Sequence, residues 1–349
     1  MNQAPQSRTP AQALNLGIIG YGRLARDYYA PALARMKGVT VAAVTDPLEQ
    51  SRLAAAAWRP RARVYDNQQH MLAQEKLDAV LIVSPPSSHL KAWLAARAHG
   101  LPAFVEKPFG LASQLGTLPN LSDADAALMV DFNRRFWHPF RQMIEAARSG
   151  AIGSLREIEF TLHADMARWS AVTSHRLNEE EGGVLHDLGS HAIDLVCQIA
   201  GCEPKRISAS FASKRLEADC VQLELDFPGG LLARCDLAYG APSRESLTVT
   251  GSTSSVILRE PNMAPHVTRH CRLSAAARME DYAWLGYRAL LPSRRMLRST
   301  IAQALAAFLE TIRTGRRFQP GYSDARANLR MLAMASGTAT VPRAGPADG

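Results

Sequence analysis

Short, predominantly apolar runs alternate with longer stretches of mixed polarity through the first third of the chain. Residues 14–19, 39–45, 77–83, 101–105 and 126–130 read as buried strands. Amphipathic stretches from Ala30 to about Met36, over 68–75 and over 89–98 predict helices between them, while Val64 and Tyr65 begin a short connection. Mostly apolar strands separated by helices predict a parallel, doubly wound sheet.

The period changes beyond residue 136. A helix is predicted over 139–149, a strand over 155–163 and another helix from about Val184. Strand-like runs then follow at 207–212, 221–227, 231–238, 247–250 and 256–258, joined by short turns. Pro228-Gly229-Gly230 is a hairpin turn and implies antiparallel pairing. Helices over 301–313 and 324–334 close the chain. The fold class is α/β in the first part and α+β in the second, whose sheet is largely antiparallel and open on one face.

The first strand runs directly into Gly20-Tyr21-Gly22-Arg23-Leu24-Ala25, a G-x-G-x-x-A turn, and the second ends on Asp46, 21 positions beyond Ala25. This strand, turn, helix, strand and acid is the fingerprint of a dinucleotide-binding Rossmann unit. Gly20 permits the tight turn, Gly22 lets the backbone approach a pyrophosphate, and Ala25 is small enough for close helix–strand packing. The helix start offers N–H groups to the phosphates. Asp46 can accept hydrogen bonds from the adenosine ribose and would repel a 2′-phosphate, which favours NAD over NADP, although Arg52 lies near enough in sequence to serve a phosphate. Ligands of such sheets bind beyond the carboxyl ends of the strands. The expected cofactor residues are therefore Gly20, Tyr21, Gly22, Arg23, Leu24 and Asp46, with Ser84, Pro85, His89, Glu106, Lys107 and Asn133 beyond the later strands.

A second candidate stretch runs from Glu179 to Asp194. Acidic residues and Gly182-Gly183 precede an apolar run, so a loop hands over to a helix near Val184. On that helix Asp187, His191 and Asp194 fall at i, i+4 and i+7, on one face. A histidine with a carboxylate neighbour is suited to moving a proton near neutral pH. His186, at i and i+5, points away from His191 and reads as structural. Lysine is scarce, six against thirty-four arginines, so Lys107 between Glu106 and Pro108 at a strand's carboxyl end stands out.

Composition narrows the classes. The 349 residues suffice for about two domains. The net charge of +8 comes mostly from scattered arginines, with no concentration that would suit nucleic acid. No apolar run reaches the roughly 20 residues of a membrane helix. Met1 to Pro10 is polar and lacks the apolar core of a secretory signal. Five cysteines without a C-x-x-C pair argue against disulfides and a zinc site, and point to the cytoplasm. No H-E-x-x-H arrangement is present, so no metal is expected.

Together these features resemble the Gfo/Idh/MocA oxidoreductases, named for glucose–fructose oxidoreductase and inositol dehydrogenase. The resemblance runs from about Leu14 to about Ala335. It rests on the turn at Gly20, on Glu106-Lys107-Pro108, on Asn133-Arg134-Arg135-Phe136 with His138-Pro139, and on the Gly182 to Asp194 stretch. The resemblance implies hydride transfer between nicotinamide and a carbinol carbon of a sugar, cyclitol or nucleotide sugar. Lys107 would hydrogen-bond the reacting hydroxyl, His191 would be the general base, and Asp187 would position substrate and imidazole. Asn133, Arg134, Trp169, His175 and Arg176 are candidates to line the substrate pocket with Lys107, Asp187 and His191, each of the five suited equally to packing or an ion pair. Relatives commonly dimerise or tetramerise through the open face of the second sheet, and an uncovered apolar face would need such a partner.

The expected organisation is a disordered lead-in over 1–13, an NAD(P)-binding Rossmann domain over 14–135, an α+β substrate and oligomerisation domain over 136–341, and a disordered tail over 342–349. Two other activities fit the same resemblance: a glycoside hydrolase using transient oxidation on a retained NAD, and a non-catalytic sugar or NAD sensor. The presence of both Lys107 and His191 argues for catalysis. His175, where many relatives carry tryptophan, Glu181, where they carry a third glycine, and the unmatched segment 261–298 all fall on the substrate side, so the substrate and the direction of reaction are not defined by the sequence.

Overall fold

The computed structural model describes residues 13–165, 183–213, 219–239, 243–258, 266–269 and 293–337. They form two compact units. The first takes residues up to 110, then 119–141 and 293–325; the second takes 111–118, the described residues of 142–282, and 326–337. The chain thus passes between units several times, where the change of period suggested a single crossing near residue 135.

In the first unit six strands make one parallel sheet: β1 (Leu14–Ile19), β2 (Val39–Thr45), β3 (Arg63–Tyr65), β4 (Ala79–Ile82), β5 (Ala103–Val105) and β6 (Leu128–Val130). Their order is β3-β2-β1-β4-β5-β6, all pairs parallel. This is the strand order of dinucleotide-binding doubly wound sheets, whose order reverses beside β1. Every residue of β4, β5 and β6 is fully buried, as expected of strands covered on both faces. The helix Ser293–Thr314 seals one face: its Ile301, Leu305 and Phe308 join Ile18, Leu81, Phe104 and Met129 in one apolar cluster. Phe104 meets Phe308 edge-on at 5.5 Å.

Three elements differ from the sequence expectation. Arg63–Tyr65 is an edge strand against Ala43–Thr45 rather than a connection; only half-buried, it lacks the apolar run that marks its neighbours. The helix Glu49–Trp58 has no clear apolar stripe, because it buries only Ser51 and Ala55 and leaves Leu53 exposed. The helix expected from His89 begins at Pro86, since proline suits the first helical position.

The second unit holds a seven-stranded sheet: β7 (Leu155–Ala164), β8 (Arg206–Ala212), β9 (Cys220–Asp226), β10 (Leu232–Tyr239), β11 (Arg244–Gly251), β12 (Ser254–Leu258) and β13 (His266–Arg269). The order is β13-β12-β11-β7-β10-β9-β8. All neighbours are antiparallel except β7 and β10. The 228–230 turn joins β9 to β10 as expected, with the Phe227 N–H donating to the Leu231 carbonyl. Ile158, Phe160, Leu162, Leu223, Leu225, Cys235, Leu237, Leu247 and Val249 are buried on one face, and the helix Ser190–Ala200 lies against β7.

The opposite face is not the uncovered apolar surface that was expected. Arg206 pairs with Asp226 at 2.7 Å, Arg234 bridges Glu224 and Glu157, and His163 Nε2 lies 2.9 Å from Asp236. Strand alternation puts every second residue outward, and Glu157, Glu159, Thr161 and His163 of β7, Gln222, Glu224 and Asp226 of β9, and Arg234 and Asp236 of β10 make most of that face polar.

Candidate active site

The turn after β1 has the shape its sequence requires. Gly20 sits at φ +90°, and a Cβ there would lie 2.7 Å from the Val83 carbonyl oxygen and 2.8 Å from Ser84 Cα. A Cβ on Gly22 would meet nothing of the chain within 4 Å. Space beside Gly22 with close packing behind Gly20 is what a backbone needs in order to lie against a pyrophosphate. The first i→i−4 bond of the helix runs from the Arg26 N–H to the Gly22 carbonyl. The backbone ahead of Arg26 is therefore a helix start, where N–H groups suit an anion.

Asp46, buried at the end of β2, braces this turn. Its Oδ2 accepts from the Tyr21 N–H at 2.7 Å and its Oδ1 from the Leu48 N–H at 2.9 Å. The Tyr21 ring is itself buried and stacks on Trp58 at 5.6 Å; burial pushes its phenol up to about 12. The turn thus presents the backbone of Tyr21, while its ring is packing. Arg52 donates to the Asp46 and Pro47 carbonyls at 3.0 and 2.7 Å, which holds its guanidinium beside the same strand end. These residues fit a dinucleotide.

The carboxyl ends of β4, β5 and β6 carry the other expected residues of this unit. Ser84 Oγ lies 2.6 Å from Ser88 Oγ, and Pro85 precedes the helix Pro86–Ala98. His89 is buried, with Nδ1 2.7 Å from the Pro108 carbonyl and Nε2 2.7 Å from the Ser84 carbonyl. It therefore staples the β4 end to the β5 end. Burial pushes its pKa down to about 4, against the raising pull of the two carbonyls and with a smaller lowering from the Lys107 charge. Lys107 is half-buried, its N–H donates to Glu106 Oε2 at 3.0 Å, and the Lys107–Pro108 bond is cis. Asn133 is buried at the start of the short helical turn Asn133–Phe136, and Arg134 follows it half-buried. Glu106 faces inward: Tyr29 Oη lies 2.6 Å from both Glu106 Oε1 and Asp131 Oδ2. Burial, with the neighbouring Glu106 charge, holds Asp131 well above the usual carboxylate range.

In the second unit the helix expected near Val184 is present but not uniformly α-helical. Leu185–Gly189 is a π-helical turn and the α-helix proper is Ser190–Ala200. Asp187 lies within the π-turn and His191 just after it. Asp187 Oδ2 accepts from the Tyr239 hydroxyl at 2.6 Å, and its carbonyl accepts from Ser190 Oγ. His191 and Asp194 are buried on the α-helical part. His186 Nε2 accepts the Ala112 N–H at 3.2 Å, a packing role that agrees with its structural reading. Trp169, His175 and Arg176 lie outside the described residues.

The structure thus gathers Gly20, Gly22 and Asp46 at the paired ends of β1 and β2, and His89, Glu106 and Lys107 at those of β4 and β5. Sequence reading missed Tyr29, Asp131 and Tyr239 as partners. Asp131 carried a signal, an acid closing an apolar strand; Tyr29 and Tyr239 had none. Among the described residues no group of three or more His, Cys, Asp or Glu could hold a metal, and no helix is long and apolar enough to cross a membrane.

Comparison with known proteins identifies both parts of the chain. Residues 14–126 match the profile described as oxidoreductase family, NAD-binding Rossmann fold, and residues 140–257 match the GFO/IDH/MocA C-terminal domain. The rhizopine catabolism protein MocA of Rhizobium meliloti is 28% identical over 239 residues, 66% of this chain and 70% of that protein. The inositol 2-dehydrogenase of Rhodococcus jostii is 31% identical over 147 residues, 41% of this chain and 40% of its own length. Among solved structures, the WlbA dehydrogenase of Bordetella pertussis in complex with NADH and UDP-GlcNAcA superposes with a TM-score of 0.79 at 17% identity, covering 95% of this chain and 96% of that one; this likeness concerns the fold.

Proposed function

We propose, for a chain that belongs to the Gfo/Idh/MocA family of NAD-binding oxidoreductases, hydride transfer between the nicotinamide and a carbinol carbon of a sugar, cyclitol or nucleotide sugar. It is an NAD(P)-dependent oxidoreductase by family, and the finer reading concerns substrate and residues. The observation that carries it is Lys107, tied through its N–H to Glu106 at the carboxyl end of β5, in the same sheet whose β1 turn and Asp46 fit a dinucleotide.

Bound NAD supplies the hydride acceptor. The chain's own residues supply the rest. The β1 turn binds pyrophosphate through its N–H groups, and Asp46 binds the adenosine ribose and disfavours a 2′-phosphate. Lys107 donates to the substrate hydroxyl and stabilises the oxygen as negative charge grows on it. His191 takes the hydroxyl proton, and Asp187, held by Tyr239, orients the groups around it. Arg134, Trp169 and Arg176 contact the hydroxyls of the substrate. A polyol suits such a set, because each hydroxyl both donates and accepts. Self-association through the second sheet belongs to this reading, carried by its charged rows and therefore weakened by salt.

The test is reduced-nicotinamide formation when the protein and NAD receive a panel of inositols, sugars and nucleotide sugars, with Lys107→Ala as control. Turnover that the control abolishes supports the reading. NAD binding with silence across the panel contradicts the dehydrogenase and favours the hydrolase or sensor.

A further inference from the structure

Behind Lys107 lie two carboxyl groups with too few visible protons between them. Asp131 and Glu106 are 0% and 4% exposed, and Tyr29, also 0% exposed, stands between them. Its hydroxyl oxygen lies 2.6 Å from Glu106 Oε1 and 2.6 Å from Asp131 Oδ2. A phenol has one proton and can donate to one of them only. The second contact, equally short, is an approach of two oxygens that needs a proton of its own. That proton belongs to a carboxyl group. Glu106 is the better carboxylate, because its Oε2 already accepts the Lys107 N–H at 3.0 Å. Asp131 Oδ1 has no hydrogen-bond partner among the described residues, an arrangement costly for a charged oxygen and tolerable for the carbonyl of a neutral acid.

We propose that Asp131 is a carboxylic acid at neutral pH, donating to Tyr29, which donates to the Glu106 carboxylate, and that this chain of two protons positions Lys107. The three residues come from the helical turn after β1, the end of β5 and the end of β6. They therefore lock the Gly20 turn to the lysine-bearing strand end, and they leave one negative charge rather than two behind it. Burial, the Glu106 charge and the side-chain contact with Glu106 favour the protonated form of Asp131, and they outweigh the Tyr29 hydroxyl and the Lys107 charge, which favour the carboxylate. The charged or titratable groups facing the pair among the described residues are Tyr29 and Lys107, with His89 beyond Lys107. Tyr29 and Asp131 are positioning residues; neither is assigned contact with substrate. The positioning role rests on the reading of Lys107 given above, whereas the protonation state does not.

The experiment has two arms on the full-length protein. Infrared spectra without substrate, taken from mildly acidic to mildly alkaline pH, should keep a carbonyl band of a buried carboxylic acid above the ordinary carboxylate range. The band should vanish in Asp131→Asn and shift in Tyr29→Phe. Absence of the band at neutral pH, or its survival unshifted in both variants, overturns the protonation. In the kinetic arm Glu106→Gln and Tyr29→Phe should each lower kcat/KM roughly tenfold, the effect of one hydrogen bond to a charged group, and shift its pH profile. A pH profile identical to wild type in both variants overturns the positioning role. If Lys107→Ala still turns over while the infrared band is present, the reading of Lys107 fails and the shared proton stands.

Discussion

The hydroxyl of Tyr239, the last residue of β10, donates to Asp187 Oδ2 across 2.6 Å in the π-turn that precedes His191. The two residues are 52 positions apart and both belong to the second unit. Tyr239 is buried, so its hydroxyl has little access to water as an alternative. A hydrogen bond to a charged group contributes about 1.5–3 kcal/mol. Tyr239→Phe should therefore lower kcat/KM by about tenfold or more, and Asp187→Asn should not be additive with it. Steady-state kinetics of the single and double variants check this; additive losses would mean that Tyr239 does not act through Asp187.

The two glycines of the β1 turn should respond in opposite ways. Gly20→Ala places a Cβ against the Val83 carbonyl at φ +90°, and should cost at least about 2 kcal/mol of stability. Gly22→Ala meets open space, so the melting temperature without cofactor should stay near wild type while NAD affinity falls. Thermal melts with and without NAD separate the two effects. Unchanged NAD affinity in Gly22→Ala would remove the turn from the cofactor site.

Asp46 holds the Tyr21 N–H and stands where a 2′-phosphate would meet its charge. Asp46→Ala should weaken NAD binding and narrow the preference for NAD over NADP, with Arg52 already held at the same strand end. Dissociation constants for both cofactors report it. An unchanged preference ratio would place the ribose elsewhere.

Acid should loosen the first unit through His89. Its ordinary pKa is 6.5 and burial lowers it to about 4 in the fold, so the unfolded chain binds the proton first as pH falls. His89 thus contributes stability that is complete above about 6.5 and lost progressively down to about 4, on the order of 3 kcal/mol in all. Unfolding free energy measured across that window should fall more steeply in wild type than in His89→Asn. Equal slopes would show that the ring takes up its proton in the fold at its ordinary pKa, and a shallower slope in wild type would show a ring charged in the native state and bonded to both carbonyls.

The central strands were readable because each is a mostly apolar run followed by a polar residue or a turn, and Leu14–Ile19 and Val39–Thr45 have the expected bounds. Arg63–Tyr65 was not, because an edge strand is half solvated. The π-turn at Leu185–Gly189 escaped because the spacing of Asp187 and His191 also suits an α-helix. The residues around Gly20 were legible as a local pattern. The frame behind Lys107 was not, since Tyr29 reaches partners 77 and 102 positions away that only the folded sheet brings together.

Hydride transfer itself is tested by isotope. A polyol that the protein oxidises, carrying deuterium on the carbinol carbon, should deliver that deuterium to the reduced nicotinamide, and Lys107→Ala should reduce the transfer to background. Deuterium released to water, or turnover with none on the nicotinamide, would contradict hydride transfer as the reaction of this site.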